Sequence, residues 1–285
     1  MLLHYIKLTL RNFSRNKLLS STIIFGLTLG ILSSFLILSN VLYELSYDKY
    51  LPDYNRVYRI TSDYSGSWGT QQIARCYYEW INNIKDEYPE VTHLVKFFNP
   101  NIPCIRVNDN KFTPINFIES DSTFFQVFPF EFIYGNASSA LQAPHSIVIT
   151  NSIAHKYFGT TNPIGKSLEI FVGDSNSYKY NITGVIKDAP VNSHFHPNYI
   201  ATWINGTVRQ MRGYYYVVLR HQMDAKILSA ELPKFVARHL SHEEASEFSL
   251  HIQALTDIHL KSHLEKELEP NSNINQIYAL SIVAI

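Results

Sequence analysis

The sequence predicts an α+β protein with three parts: an N-terminal transmembrane helix, a mixed α/β domain outside the cytoplasm, and the truncated start of a second transmembrane helix. Three observations lead to this class. Residues 18–43 carry no charged side chain. Between residues 46 and 273, alternating strand-like patterns are interrupted by a few helical ones. Residues 274–285 carry no charge and are apolar from residue 277 onward.

The first apolar segment predicts a membrane anchor of known orientation. As a helix, its uncharged run would be roughly 39 Å long, more than the roughly 30 Å hydrocarbon core of a bilayer. Lys7, Arg11, Arg15 and Lys17 precede it without any acidic residue, and basic residues beside a first span hold that side in the cytoplasm. We therefore expect residues 1–17 to form an amphipathic basic helix on membrane lipid and residues 18–45 to span the membrane. A cleaved signal peptide would have a shorter apolar run and small residues at its cleavage site.

Small residues recur every four positions in the predicted span, at Thr22, Gly26, Gly30 and Ser34. This spacing allows another helix to approach closely, although Gly and Ser are also generally common in membrane helices. At the other end, residues 274–285 are too few to span a membrane. We interpret them as the start of a second span, the alternative being a buried strand or an amphiphilic tail.

The segment 46–273 predicts one large extracytoplasmic domain, and 14 % aromatic residues suit a folded, β-rich structure. The patterns predict a helix over residues 71–88, a strand over 111–119 and a helix over 224–240. Further strands are predicted at residues 56–64, 91–99, 105–108, 146–149, 168–172, 178–187, 214–220 and 248–255, and short helices at 121–128 and 151–157. Both cysteines, Cys76 and Cys104, fall in this domain. A disulfide between them stays open, since sequence does not give their separation.

Composition and motifs argue against several chemistries. A net charge of zero gives no reason to expect nucleic acid as a partner. Residues 159–167 resemble a phosphate loop, but five residues separate its glycines instead of four, and a predicted helix precedes it where a strand is required. Two histidine pairs, His194 with His196 and His259 with His263, lack the pattern of a metal site. We therefore expect no catalytic residue, cofactor or metal.

Several segments together resemble the MacB-like and FtsX-like permease family of ABC transporters. They extend from the basic arm and first span to the end of the domain, in the same order as in the family. The most telling are Glu44-Leu45-Ser46-Tyr47-Asp48, Asn55-Arg56-Val57-Tyr58-Arg59, Phe124-Phe125-Gln126-Val127-Phe128, Asn162-Pro163-Ile164-Gly165-Lys166, Thr183-Gly184-Val185-Ile186-Lys187-Asp188 and Leu255-Thr256-Asp257-Ile258-His259-Leu260.

The resemblance implies a non-catalytic permease subunit in the inner membrane, multi-pass in its full-length form, with residues 46–273 as a periplasmic domain of MacB-core type. A separate cytoplasmic ABC ATPase is the implied partner, and a second permease copy and a periplasmic adaptor stay open as further partners. Such a subunit would couple ATP hydrolysis to movement of the periplasmic domain, for export or mechanotransmission. The alternative is the extracytoplasmic sensor domain of a membrane-anchored signalling receptor.

Overall fold

The computed structural model describes residues 11, 13, 15–66, 69–77, 79–172, 176–203 and 213–283. Most of the predicted basic helix over residues 1–17, including Lys7, lies outside these residues. The chain divides into two compact units, one made of Met1–Ser46 with Asn273–Ile285 and the other of Tyr47–Ser272.

The first unit contains two apolar helices. Helix α1, Lys17–Glu44, has 28 residues and a mean hydropathy of 2.1 over its most apolar window. Its length and composition suffice to cross a membrane, and nearly all its apolar side chains are exposed. A shorter helix, Ile274–Val283 (numbered α8 below), packs against it, with Val41 of α1 and Ile277 of the shorter helix both buried. This second helix is too short to span a bilayer, so the second span stays a prediction.

The second unit contains two β-sheets, and its strands form where β-branched and aromatic residues are concentrated. The thirteen described strands are β1 Val57–Gly66, β2 Gly69–Ile73, β3 Val91–Phe97, β4 Cys104–Val107, β5 Asn110–Phe112, β6 Phe117–Ser120, β7 Phe132–Tyr134, β8 Ser146–Thr150, β9 Ser167–Val172, β10 Asn176–Ile186, β11 Tyr199–Thr202, β12 Tyr214–Leu219 and β13 Phe248–Ala254. The first sheet has the order β13-β1-β12-β3, with β2 paired to β1. The second has the order β5-β4-β9-β10-β8-β11-β6, with β7 paired to β10. Within the second sheet, the pairs β8–β10 and β6–β11 are parallel.

Helices pack against both sheets. They are α2 Ile84–Glu87, α3 Phe124–Val127, α4 Asn151–Phe158, α5 Asp224–His239, α6 His242–Glu247 and α7 Leu255–Lys261, and a 3₁₀ turn, Glu79–Asn83, precedes α2. Ser241 and Glu244 form a capping box that fixes the start of α6. Gly159 ends α4 with φ +61°, as its position after the helix predicted.

Three hydrophobic clusters hold these layers together. One lies between the two sheets and contains Phe97 and Tyr216 from the first sheet and Val148 and Ile200 from the second. Another packs the first sheet against α5, and the third packs the second sheet against α4. Strand β12 is buried along its whole length because Tyr214 and Tyr216 face one cluster while Tyr215 and Val217 face another. The predicted α+β class is confirmed.

Two local predictions were wrong. Residues 71–88 do not form one helix, because Ser62 and Ile73 pair in a hairpin that extends strand β2 through residue 73. Only the 3₁₀ turn and α2 remain from that helical pattern. Residues 111–119 are not one strand, because Phe112 pairs with Ile105 while residues 117–120 pair with β11 in a different part of the sheet.

The two cysteines are not joined. Cys76 is fully buried and its backbone bonds to Gly213 beside the first sheet, whereas Cys104 begins β4 in the second sheet. Burial, the largest influence, raises the pKa of the Cys76 thiol to about 12. The Cys76 thiol is therefore protonated and inert at neutral pH.

Candidate functional site

Three of the four residues predicted to face another helix border an open groove on α1. Gly26, Gly30 and Ser34 line it together with larger apolar side chains and Ser281 of α8. A Cβ added at Gly26 or Gly30 would meet no atom within 4 Å, so no described helix approaches closely there. Thr22 donates to the carbonyl of Leu18 at 3.0 Å. Close packing of a further helix on this face stays a prediction.

Of the residues predicted to orient the span, Arg11 and Arg15 have helical backbone conformation and Lys17 is the first residue of α1. Lys7 lies outside the described residues. Their cytoplasmic location also stays a prediction, since it depends on the membrane.

The most organised polar site in the second unit involves the two linkers that lead to the apolar helices. We call residues 47–51, which follow α1, the first linker, and residues 262–272, which precede α8, the second linker. Each is tied to buried side chains of the domain through charged or hydroxyl groups. The sequence analysis did not identify this site.

Asp48 anchors the first linker. Its side chain is fully buried, and its φ of +59° is a conformation that Asp tolerates better than most residues. Its Oδ1 accepts from the backbone N–H of His194 at 3.1 Å and lies 2.8 Å from Nδ1 of the same residue. The Asp48 N–H donates to the carbonyl of Asn192 at 2.8 Å. The first linker is therefore held by both its backbone and its side chain.

His194 continues the network into strand β12. Its Nε2 lies 2.8 Å from the hydroxyl of Tyr216, which stands directly opposite Arg59 in the register of β1 and β12 and interacts with its guanidinium. The contacts of His194 are satisfied when Tyr216 donates to Nε2 and Nδ1–H of His194 donates to Asp48. We assign this tautomer from the hydrogen-bond pattern.

Arg59 anchors the second linker. Its fully buried guanidinium forms a two-pronged ion pair with Glu267, with 2.8 Å from Nη2 to Oε1, and Nη2 also donates to Gln253 at 2.7 Å. Ser262 bonds to both members of the pair. Burial by itself lowers the pKa of Arg59, but the contacts with Glu267 and Tyr216 outweigh it and the net pKa is raised. The residues Asp48, His194, Tyr216, Arg59, Glu267 and Ser262 thus form one connected group, which we call the polar core network.

Further contacts fix the second linker along its length. The hydroxyl of Tyr214 donates to the carbonyl of Lys266 at 2.8 Å, and Glu265 pairs with Ile73 beside strand β2. Leu264 and Leu268 pack against the cluster between the sheets. Tyr47 of the first linker stacks on His259 of α7, with 3.3 Å between ring centroids. Both linkers are therefore part of the folded core.

The order Asp48, His194, Tyr216 matches the carboxylate, imidazole and hydroxyl of a nucleophilic triad. All three side chains are buried, however, with at most 4 % of each residue exposed, so a substrate has no access to the hydroxyl. Burial is also the largest influence on Tyr216 and raises its pKa, the opposite of what a nucleophile needs. The triad-like arrangement therefore holds the structure together.

The histidine pairs noted in the sequence also have structural roles. Both ring nitrogens of His194 contact protein groups, and His196 contacts Glu269 and the carbonyl of Pro190. His263 lies two positions beyond Lys261, the last residue of α7, and does not share a helix face with His259. Among the described residues, no group of three or more His, Cys, Asp or Glu side chains could hold a metal ion. The loop at residues 159–167 joins helix α4 to strand β9, the inverse of a phosphate loop.

Comparison with known proteins is consistent with this architecture. The family model of the MacB-like periplasmic core domain matches residues 20–235. A search of curated proteins gave no match. Among solved structures, a domain of a candidate permease protein from Porphyromonas gingivalis is similar with a TM-score of 0.58 and 21 % identity, covering 80 % of this chain and 98 % of that one.

Two further structures share the fold. The periplasmic region of MacB from Actinobacillus actinomycetemcomitans has a TM-score of 0.51 at 15 % identity, covering 71 % of this chain and 90 % of that one. The extracellular domain of the noncanonic ABC-type transporter YknZ from Gram-positive bacteria has a TM-score of 0.50 at 16 % identity, covering 67 % and 98 %. The family match spans most of the chain, and these structures reproduce its fold. This chain belongs to the MacB-like periplasmic core domain family, whose relatives include ABC-transporter permeases.

Proposed function

We propose that this chain acts as the permease subunit of an ABC transporter, in which ATP hydrolysis by a separate cytoplasmic ATPase moves the membrane helices and the extracytoplasmic domain transmits that movement. The observation that carries the proposal is the attachment of both linkers to one buried polar network. A displacement of either linker is then passed to the core strands β1 and β12, because packed cores resist continuous deformation.

The membrane arrangement follows from the charge pattern. Lys7, Arg11, Arg15 and Lys17 would hold the N-terminal arm in the cytoplasm on anionic lipid, so residues 46–273 would lie in the periplasm of a multi-pass inner-membrane protein. The face with Thr22, Gly26, Gly30 and Ser34 would receive a further span or a second permease copy. A periplasmic adaptor would be a further partner of the domain. The chain itself would catalyse no reaction.

Co-purification of the full-length protein from its native membranes in mild detergent tests this proposal. We expect an ATPase subunit with a phosphate-loop motif to accompany it, with ATP hydrolysis in the purified complex. Addition of ATP with vanadate should then change hydrogen exchange in residues 47–51 and 262–272, because the linkers move with the spans.

The variant Asp48→Asn separates binding of the ATPase from transmission of its movement to the domain. It should retain the ATPase, because the substitution lies in the extracytoplasmic domain, and it should weaken the nucleotide-dependent change in exchange. Absence of any ATPase in the wild-type preparation would refute the proposal. Recovery of a kinase in its place would favour a sensor.

A further inference from the structure

The hydrogen bonds of His196 require a particular charge state. Its Nδ1 lies 2.8 Å from Oε2 of Glu269, and its Nε2 lies 3.1 Å from the carbonyl oxygen of Pro190. A carboxylate and a carbonyl can only accept, so both ring nitrogens must donate. Neutral imidazole has one N–H, whereas imidazolium has two. The site therefore suits the protonated form.

His194, two residues earlier, has a different environment. One of its nitrogens faces a carboxylate, but the other faces the hydroxyl of Tyr216, which can donate as well as accept. The neutral ring satisfies both contacts there. In the His194-Phe195-His196 segment, a neutral ring thus satisfies the contacts of His194, whereas the contacts of His196 require a protonated ring.

We propose that His196 is a proton-operated clamp on the second linker: as imidazolium it holds the Glu269 carboxylate and the Pro190 carbonyl together, and on losing its proton it releases one of them. Glu269 precedes α8 closely in the chain, and Pro190 lies in the loop whose Asn192 binds the first linker. The clamp therefore acts on the attachment of both linkers.

The charged groups that face His196 all favour its protonated form. The hydrogen bond to Glu269 is the largest influence and raises the pKa of His196. Burial opposes it, but the charge of Glu269, the Pro190 carbonyl and the buried Asp48 add further raising contributions, and the net pKa is raised. The other titratable residue on the segment of His196 is His194. Because the folded-state pKa is raised above 6.5, the clamp's contribution is fully present below that pH and is lost as pH rises through the folded-state pKa. The second linker should therefore loosen in alkaline surroundings.

Hydrogen exchange of the full chain in detergent micelles tests the clamp, from about pH 5 to about pH 9. The reporters are the His196 amide, which donates to Oε1 of Glu269 at 2.7 Å, and the Ser272 amide, which donates to the His259 carbonyl. After correction for the intrinsic exchange rate, we expect protection of residues 262–272 to fall about three- to tenfold as pH rises, the range for a half-exposed, charge-assisted hydrogen bond.

Two variants and one matched control separate the clamp from general pH effects. His196→Asn keeps a donor near the Nδ1 position but cannot titrate, and Glu269→Gln removes the carboxylate, so both should abolish the pH response. His251 of strand β13 also pairs with a carboxylate, Asp63 at 3.1 Å, and its other hydrogen-bond contact is Ser249, so neither partner belongs to a linker. His251→Asn should therefore leave the response of residues 262–272 intact.

A flat profile in the wild type, or a response that persists in His196→Asn, would overturn the proposal. If His196→Asn does not fold, the imidazole ¹⁵N shifts of the wild type test the clamp. The signal that moves in Glu269→Gln is assigned to His196. At about pH 7.5, where an ordinary imidazole is mostly neutral, two protonated nitrogens support the clamp and a neutral tautomer contradicts it. The clamp itself does not depend on the proposed function; only its consequence for transport rests on that function. Failure of ATPase co-purification would leave the exchange result unaffected.

Discussion

Two Arg–Glu ion pairs in this domain have the same chemistry and opposite surroundings. Arg59 and Glu267 have side-chain exposures of 0 % and 14 %, whereas Arg106 and Glu169 have 43 % and 26 %. The first pair joins a central strand to the second linker. The second joins β4 and β9, which are already paired through their backbones at these residues.

The comparison shows where the fold depends on polar interactions. An exposed pair between strands already in register adds little, because solvent screens it and the backbone has fixed the geometry. Removing one partner of a buried pair costs much stability, because the other partner is left as an uncompensated charge in a poorly solvated site. In this domain the buried pair, Arg59 and Glu267, lies at the second linker, which precedes α8. The fold is therefore most specific where the domain connects to the apolar helices.

Arg59→Met should cause the largest loss of stability. The substitution leaves the Glu267 carboxylate, only 14 % exposed, beside Ser262 with no cation, which costs about 3–5 kcal/mol of unfolding free energy. Urea unfolding of the full chain in detergent micelles, followed by tryptophan fluorescence, measures the loss. The double variant Arg59→Met/Glu267→Leu is the control and should recover part of it, because apolar replacement of a whole buried pair is far less costly. A single-variant loss below about 1 kcal/mol would mean that the pair behaves like an exposed one.

Tyr216→Phe should have the next largest effect. It removes the hydroxyl between His194 Nε2 and Arg59, leaving a buried ring nitrogen without its partner at a cost of about 1–3 kcal/mol. The same unfolding measurement applies. Tyr64→Phe is the matched control, because the Tyr64 hydroxyl is exposed and lies 3.5 Å from Glu247. Equal losses in the two variants would remove the distinction between the polar core network and the surface.

Much of the fold could be predicted from the sequence where a local pattern coincides with the final packing. The uncharged run of α1 is long enough to predict a helix by itself, the strand at residues 214–219 is a continuous apolar run that is fully buried, and helix α5 has a helical periodicity that burial preserves. Residues 71–88 show the opposite case. Their spacing is helical, but residues 69–73 pair with residues 62–66 in a hairpin, so this long-range partner determines the structure.

The polar core network could not be predicted, because its members are far apart in the chain. Asp48 and His194 are 146 positions apart, and Arg59 and Glu267 are separated by 208. Both histidines of the His194–His196 pair were noticed, but their spacing gives no indication of Asp48 or Glu269. A buried Asp after a span and a Glu before the next helix look like ordinary linker charges until the topology brings them to one core.

Arg106→Met completes the comparison with the smallest expected effect. The pKa of Glu169 is lowered first by the hydrogen bond from Ser177 and then by Arg106, so the carboxylate keeps a partner when Arg106 is removed. Because the folded-state pKa is lowered from 4.5, any stabilising effect is present above that pH and is lost as pH falls through the folded-state pKa. At neutral pH we expect the urea midpoint to shift far less than in Arg59→Met. Added salt should diminish the shift further, because the pair is exposed. If Arg106→Met and Arg59→Met lower the midpoint equally, burial is not what separates the two pairs, and the second linker has no special role in the stability of the domain.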